Sequence, residues 1–172
     1  MPRLLKLTLV LTGVLALAAC STVQRLSAAN DVHALLVSIR DNDQAAFDAH
    51  VDRDALKTEI TSRLSEQTQK SKKSDSWGAL GAMLAPAIAK YAGDNLIQPK
   101  MFRQVADFYG YKAASPVPNT LAIASALKPL PDGRVCATKK KGGPCMLMFT
   151  REAGVWRLSG FEGDMSMLRI KL

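Results

Sequence analysis

The sequence has little of what enzymes and metal centres most often use. Its 172 residues include two histidines and three cysteines, and aromatic side chains make up 6% of the chain. It contains neither the Gly-X-Ser-X-Gly motif of many hydrolases nor a glycine-rich phosphate-binding loop. No set of soft side chains has the spacing of a zinc site. The sequence therefore predicts no cofactor and no metal, and an enzyme is the weaker interpretation.

An apolar run long enough to span a membrane is also missing. Residues 7–17 form an apolar segment that is about half of the roughly 20 residues that a transmembrane helix needs. A permanent transmembrane anchor is therefore disfavoured. The composition of the whole chain, with 48% hydrophobic and 22% charged residues, fits one globular domain.

The first 19 residues have the pattern of a secretory signal peptide. Arg3 and Lys6 precede the apolar segment, and Leu17-Ala18-Ala19-Cys20 follows it. These four residues are similar to the lipobox of bacterial lipoproteins. That resemblance implies that the Cys20 thiol receives a diacylglycerol and that cleavage leaves Cys20 as the first residue. The alternative is an ordinary secretory cleavage with Cys20 as a spare thiol.

Lipidation at Cys20 would attach the mature chain to a membrane. Two or more acyl chains give stable anchoring, because each buried methylene adds about 0.8 kcal/mol. The next residue is Ser21 rather than Asp. By resemblance to enterobacterial sorting, Ser21 implies the outer membrane, with the body of the protein in the periplasm. We expect residues 20–29 to be a tether and residues 30–172 to form a single domain.

Positive charge is distributed unevenly along the chain. The formal net charge is +8. Residues 20–94 hold nine basic and ten acidic side chains, whereas residues 95–172 hold twelve and five. A basic surface points to anionic partners without separating nucleic acid from membranes. Because aromatic rings are scarce and the predicted compartment lacks nucleic acid, we expect no nucleic-acid partner.

The first half of the mature chain has helical patterns. Asn30 is expected to cap a helix whose apolar face is Val32, Leu35, Leu36 and Ile39. Asp43 is expected to cap a second helix through His50, and Asp52 a third through about Gln69. Pro99 is expected to begin a later helix that stops at Gly110, with Met101, Phe102, Val105 and Ala106 on one face.

The last third of the chain is predicted to be a β-meander. Leu121, Ile123, Ser125 and Leu127 recur at every second residue, which predicts a strand. Turn residues separate further strands at 134–138, 146–151 and 155–161, and residues 165–172 are expected to add a final one. The predicted fold class is therefore α+β, with N-terminal helices packed on one face of a C-terminal antiparallel β-meander.

Parts of the sequence resemble the bacterial domain of unknown function 2939 family. The similar segments are Ile39-Arg40-Asp41-Asn42-Asp43 with Phe47, Val51-Asp52 and Leu56, the helix start Ile97-Gln98-Pro99, and the ending from Met148 to Leu158. The resemblance implies helices against a curved sheet and assigns no catalytic residue. Asn42 stands where the family pattern has Gly, and a turn tolerates it because Asn visits positive φ readily.

Cys136 and Cys145 lie symmetrically about a lysine-rich turn. A hairpin centred on Lys140 and Lys141 would place the two cysteines opposite each other, and the periplasm is oxidising, so we expect a cross-strand disulfide. Lys139, Lys140 and Lys141 would form a basic hairpin tip. The tip is interpreted either as a solvated turn whose charge disfavours aggregation or as a contact for anionic lipid A or peptidoglycan groups.

Residues 77–92 are rich in alanine and glycine, and their only charge is Lys90. Pro86 lies among them, so a helix here is expected to kink or break. The small side chains predict either close packing or an apolar pocket, for a small lipophilic ligand, whose mouth includes Trp77, Met83 and Leu84. Exposure as a surface for a protein partner is the third alternative.

The titratable side chains have structural interpretations. His33 lies off the apolar helix face, and His50 ends a helix, where a positive charge suits the dipole. Asp41, Asp43, Asp48, Asp52 and Asp54 lack the loop glycine and terminal glutamate of a calcium-binding EF-hand. The aromatic residues expected in the core rather than in a ligand cage are Trp77, Tyr91, Phe102, Phe108 and Tyr109.

These patterns predict a lipid-anchored, non-catalytic periplasmic module for binding or envelope interaction. Its expected partners are the membrane through the lipid, and anionic envelope components, a small lipophilic ligand or another envelope protein. The alternative is a small periplasmic hydrolase with a site assembled from distant residues. Convergent Asp, Glu, His and Ser side chains in a cleft would favour the hydrolase, and an apolar cup without them would favour binding.

Overall fold

The helices come first along the chain and the strands last. A computed structural model describes residues 2–70, 95–108, 112, 114–139 and 142–162. The elements within these ranges are, in chain order, α1 (Pro2–Asp41), α2 (Gln44–Ala49), α3 (Arg53–Lys70), α4 (Pro99–Phe108), α5 (Thr120–Ala126), β1 (Leu127–Pro129), β2 (Val135–Thr138), β3 (Cys145–Glu152) and β4 (Val155–Phe161).

The four strands form one antiparallel sheet in the order β1-β2-β3-β4. Each strand pairs with the next along the chain, with Lys128 opposite Cys136 and Phe149 opposite Leu158. Irregularities shift the register within the β2–β3 pair and within the β3–β4 pair. The sheet is thus the predicted meander, and the fold is α+β.

The core lies between the helices and the sheet, with α1 at its centre. This helix contacts α2, α4, α5, β1 and β4. Phe102 packs edge-on against Phe47, with 5.2 Å between ring centroids, as expected of a core residue. The buried members of the core are Ala28, Ala29, Val32, Leu35, Phe47, Val51, Leu56, Ile97, Ile123, Leu127, Val135, Phe149, Trp156 and Leu158.

Side-chain caps join the first three helices. After α1, Asn42 adopts a φ of 56°, the left-handed conformation that its side chain tolerates. The next N–H, that of Asp43, bonds back to a carbonyl in the last turn of α1, as in a Schellman motif. Asp43 Oδ1 accepts from the Ala46 N–H at 3.0 Å, and Asp52 Oδ1 accepts from the Ala55 N–H at 2.9 Å. Both predicted aspartate caps are confirmed.

The expected tether over residues 20–29 is wrong, as is the expected cap at Asn30. Helix α1 runs without a break through this segment, and Ala28 and Ala29 are fully buried. The segment lacks glycine and proline and contains good helix formers, so nothing in it interrupts the helix. The folded unit therefore includes residues before 30, which corrects the predicted boundary.

The expected strand over residues 121–127 is also wrong in most of its length. Residues 120–126 form α5, and only Leu127 enters β1. Asn119 caps α5 by accepting the Ala122 N–H at 2.9 Å. The buried side chains are Ile123 and Leu127, four residues apart, whereas Leu121 is 72% exposed. Helical spacing and a cap therefore override the apparent alternation.

Several sequence predictions lie outside the described residues. These are the stretch at 77–92 with the pocket residues Trp77, Met83 and Leu84, the strand at 165–172, the aromatic residues Tyr91 and Tyr109, the side chain of Phe108, the helix stop at Gly110, and Lys140 and Lys141.

Candidate functional site

The two ends of the sheet carry different features. Because the strands are antiparallel neighbours in chain order, the β1–β2 and β3–β4 turns share one end. We call this the turn end (residues 130–134 and 152–155) and the opposite end the loop end (residues 138–139, 142–146 and 161–162). At about 3.3 Å per residue, the eight residues of β3 separate the two ends by roughly 23 Å.

Helix α1 is bound to the turn end. The Gln24 side-chain amide donates to the Gly133 carbonyl in the β1–β2 turn at 2.9 Å. The Trp156 indole N–H donates to Ser27 Oγ at 3.2 Å, and the Trp156 backbone N–H donates to Asp31 Oδ2 at 2.9 Å. Three side chains over two turns of α1 thus hold the helix on the sheet.

The predicted lipidation position lies close to this attachment. Cys20 precedes Gln24 by four residues in the same helix. At a rise of 1.5 Å per residue, the two positions are about 6 Å apart along the helix axis. The backbone at Cys20 is therefore within about one helical turn of the residue that contacts the β1–β2 turn.

Asp31 also faces the imidazole of His50. His50 Nδ1 lies 2.9 Å from the Ala46 carbonyl, and Nε2 lies 3.7 Å from Asp31 Oδ1. A carbonyl oxygen only accepts, so Nδ1 carries a proton in this arrangement. We call Ser27, Asp31, His50 and Trp156 the α1–β4 junction. Its hydroxyl and carboxylate bond to the indole and to the backbone, which is a structural use of these groups.

The outer edge of β4 is covered by the helical part of the chain. The Leu158 N–H donates to the His50 carbonyl at 2.9 Å, and the Asp52 N–H donates to the Leu158 carbonyl at 2.9 Å. Arg63 on α3 donates to the Phe161 carbonyl at 2.6 Å, and its guanidinium lies 4.8 Å from the centroid of the Phe161 ring. These bonds satisfy backbone groups that an open sheet edge would expose.

The surface beside the turn end combines apolar and cationic side chains. On α1, Val23 is 67% exposed and Leu26 is 38% exposed, and Arg25, on the same helical turn, is also exposed. In the β1–β2 turn, Arg134 Nε donates to Asp132 at 2.7 Å. This hydrogen bond, with a smaller contribution from the Arg134 backbone N–H, lowers the pKa of the Asp132 carboxyl.

The disulfide joins Cys145, at the loop end, to Cys136 in β2. Cys136 and Cys145 are bonded, and their Cα atoms are 5.5 Å apart. The predicted disulfide is therefore present in the structure, but the expectation that the two cysteines lie directly opposite each other is wrong. Across a shift of register, Cys136 pairs with Met148 and Cys145 pairs with Thr138. Lys139 directly follows β2 and is exposed. The sheet thus places the first lysine of the predicted basic tip at the end opposite the α1 attachment.

The five aspartates between positions 41 and 54 do not converge. Apart from the two helix caps, Asp41 pairs with Arg40, which lowers the pKa of the Asp41 carboxyl, and Asp48 accepts from Arg53 Nε at 2.7 Å. Asp54 lies in the first turn of α3. Among the described residues, no group of three or more His, Cys, Asp and Glu side chains is placed to hold a metal ion.

Sequence reasoning missed the α1–β4 junction and the Arg63 contact. Asp31 and Trp156 are separated by 125 positions, and Arg63 and Phe161 by 98. No local spacing rule connects residues so far apart. The available signal was indirect, because a polar Asp31 beside the apolar face of α1 needs a hydrogen-bond partner if the helix is buried there.

Comparison with known proteins gives a family and nothing more specific. No curated protein and no solved structure matches the chain. In the described part of the chain, no helix is both long and apolar enough to cross a membrane. A family model described as "Protein of unknown function (DUF2939)" matches residues 14–105, which include α2, α3 and most of α1 and α4 and end before the sheet. That match spans more than half of the sequence, so the chain belongs to the DUF2939 family.

Proposed function

We propose that this protein is a lipid-anchored, non-catalytic binding module of the bacterial periplasm, attached to the outer membrane through Cys20. The observation that carries the proposal is the order of features at the N-terminus. Two basic residues, an apolar segment of half the spanning length and Leu17-Ala18-Ala19-Cys20 follow one another without a gap. Ser21 after the cysteine supports the outer membrane rather than the inner one.

The disulfide supports an extracytoplasmic location. Disulfides persist in oxidising compartments such as the periplasm and are rare in the cytosol. Cys136 and Cys145 account for the two cysteines other than Cys20. Cys20 is then the one thiol left for acylation.

The α1–β4 junction supports a binding role over hydrolysis. It brings together a serine, an aspartate and a histidine, the residue types that a hydrolase uses. Ser27 Oγ accepts the Trp156 indole N–H, and one carboxylate oxygen of Asp31 accepts a backbone N–H of the same residue. Groups engaged in this way hold α1 on the sheet. The basic C-terminal half instead favours an anionic envelope component as partner, with Lys139–Lys141 as its contact.

The proposal is tested by metabolic labelling of cells with an alkynyl fatty acid. We expect wild-type protein to carry the label and to migrate without residues 1–19. Cys20→Ala should carry no label and keep its full length, because acylation precedes cleavage at this type of site. Ser21→Ala is the matched control and should behave as the wild type. Unlabelled wild-type protein would overturn the lipid anchor.

A binding role has its own test. Purified protein is incubated with peptidoglycan sacculi and sedimented. We expect wild type to sediment with the sacculi in a salt-sensitive manner, and the triple variant Lys139→Gln/Lys140→Gln/Lys141→Gln to stay in solution. Lys57→Gln/Lys100→Gln/Lys128→Gln removes the same charge elsewhere and is the control. Equal sedimentation of the two triple variants would contradict the assigned contact.

A further inference from the structure

We propose that the acylated chain is mounted on its bilayer without a flexible tether, with the turn end of the sheet against the lipid headgroups and the loop end directed away. The proposal rests on the proposed lipid anchor at Cys20. It adds an orientation, a membrane-facing surface and a surface left for partners.

The first step is the continuity of α1. Residues 20–29 are helical, so the position of the lipid is coupled to the domain by a helix rather than by a free linker. A flexible linker of ten residues would let the domain move over roughly 15–20 Å from its anchor. The helix fixes that separation instead.

The second step is the attachment of α1 to the sheet. The Gln24 side chain bonds to the β1–β2 turn, and the side chains of Ser27 and Asp31 bond to Trp156 near the start of β4. Ala28 and Ala29, which follow Ser27 in the helix, are fully buried. A contact with the sheet therefore comes within about one helical turn of Cys20. Bending the helix away from the sheet would break these bonds.

The third step is the distance to the bilayer. The difference between a hydrocarbon core of about 30 Å and a whole bilayer of about 40–45 Å leaves roughly 5–7 Å for each headgroup layer. The rise from Cys20 to Gln24 is about 6 Å. Acyl chains attached at Cys20 and inserted in the core thus bring Gln24, and with it the β1–β2 turn at Gly133, to the headgroup layer.

The surface chemistry of this region fits the assigned environment. Val23 and Leu26 are exposed apolar residues, and Arg25, on the same turn of α1, is an exposed cation. Apolar side chains and a cation at the same depth favour the boundary between headgroups and acyl chains, where anionic lipids attract the charge. The loop end, with Lys139, then lies roughly 23 Å farther along β3 and faces the periplasm.

The test measures depth at two single-cysteine positions. Acylated protein is reconstituted in phospholipid vesicles, and a fluorophore is attached at Pro131→Cys, in the β1–β2 turn, or at Glu162→Cys, after β4. Both residues are exposed, and the native cysteines are acylated or in the disulfide. Quenching by headgroup-labelled lipids is then compared. We expect at least about threefold stronger quenching at Pro131, given the roughly 20 Å between the two positions along β4.

Two controls make the result decisive. Arg25→Cys provides a second position near the bilayer if Pro131→Cys does not fold. Insertion of ten Gly/Ser residues between Ser21 and Thr22 should equalise the quenching at the two positions, because it restores a flexible tether. Equal quenching without the insertion, or stronger quenching at Glu162, would overturn the proposed mounting. Protein that lacks acyl mass on Cys20 would instead overturn the proposed function.

Discussion

At the scale of single residues, a few polar side chains decide how the helical and β parts of the chain meet. Asp31 accepts the backbone N–H of Trp156 and faces His50, and Ser27 accepts the indole N–H. The two bonds to Trp156 join positions more than 100 residues apart, and the contact with His50 joins α1 to the end of α2. The caps Asp43 and Asp52 act locally, and for that reason they could be predicted from the sequence whereas Asp31 could not.

We expect Asp31→Ala to lower the free energy of unfolding by about 1–3 kcal/mol, because the partly buried Trp156 N–H loses its acceptor. Denaturant unfolding followed by tryptophan fluorescence measures the change. Asn30→Ala alters the exposed neighbouring position and should change stability by no more than about 0.5 kcal/mol. Equal effects of the two substitutions would show that the junction contributes nothing specific.

At the scale of elements, turn chemistry determines the sheet. The β3–β4 hairpin closes through Ala153 and Gly154, both with positive φ, as a two-residue turn of the kind that matches strand twist. Gly154 suits this conformation, whereas Ala153 at a φ of 47° is an L-residue in the left-handed region. The predicted turn at these residues is confirmed. Ala153 is not the residue type that its left-handed backbone conformation favours.

Replacing Ala153 should therefore stabilise the protein. Ala153→Gly is expected to raise the free energy of unfolding by about 1 kcal/mol, because the left-handed conformation costs an L-residue roughly that much. Gly154→Ala is the reciprocal control and should lower it, since φ is 90° there although no atom lies within 4 Å of the added Cβ. Thermal unfolding measures both variants. A loss of stability in Ala153→Gly would contradict the strain at this position.

The disulfide contributes at the same scale. Its loop of ten residues should stabilise the folded state by roughly 2.5–3 kcal/mol through the unfolded chain. We therefore expect reductant to lower the denaturation midpoint of the wild type. The double variant Cys136→Ala/Cys145→Ala should unfold at a lower midpoint that no longer responds to reductant. Stoichiometric alkylation of both cysteines in unreduced protein would contradict the bond.

The wrong sequence predictions also concern whole secondary-structure elements, namely one strand and one helix start. Alternating Leu121, Ile123, Ser125 and Leu127 predicted a strand, yet Ile123 and Leu127 are equally four residues apart and a cap at Asn119 begins α5. A short apolar pattern can satisfy both the two-residue period of a strand and the period of about 3.6 residues in a helix. Burial in the folded protein then selects one of them. At Asn30 a good capping residue occurs inside a helix, because no residue before it stops α1. The capping preference of a single residue is a weak guide to a helix boundary where the residues around it favour continuing the helix.

At the scale of the whole molecule, the order of helices and strands could be predicted from the sequence. Which features lie at each end of the sheet could not. Helices followed by strands led directly to the α+β fold, and the spacing of Cys136 and Cys145 about the lysine-rich turn led to the disulfide. The candidate functional surface depends on α1 reaching the turn end, and that contact joins Gln24 to Gly133 across 109 positions. Only the folded chain shows that Gln24, four residues after the predicted lipid position, and Lys139, the first lysine of the predicted basic tip, lie at opposite ends of the sheet.

The central claim is the lipid on Cys20, and the mass of the N-terminal peptide tests it most directly. Protein purified from its own envelope is digested, and the peptide that ends at Arg25 is measured by mass spectrometry. We predict a peptide that begins at Cys20 and carries the mass of a diacylglyceryl group, with or without a further amide-linked acyl chain. A peptide that begins at another residue, or one that begins at Cys20 with no added mass, would contradict the account.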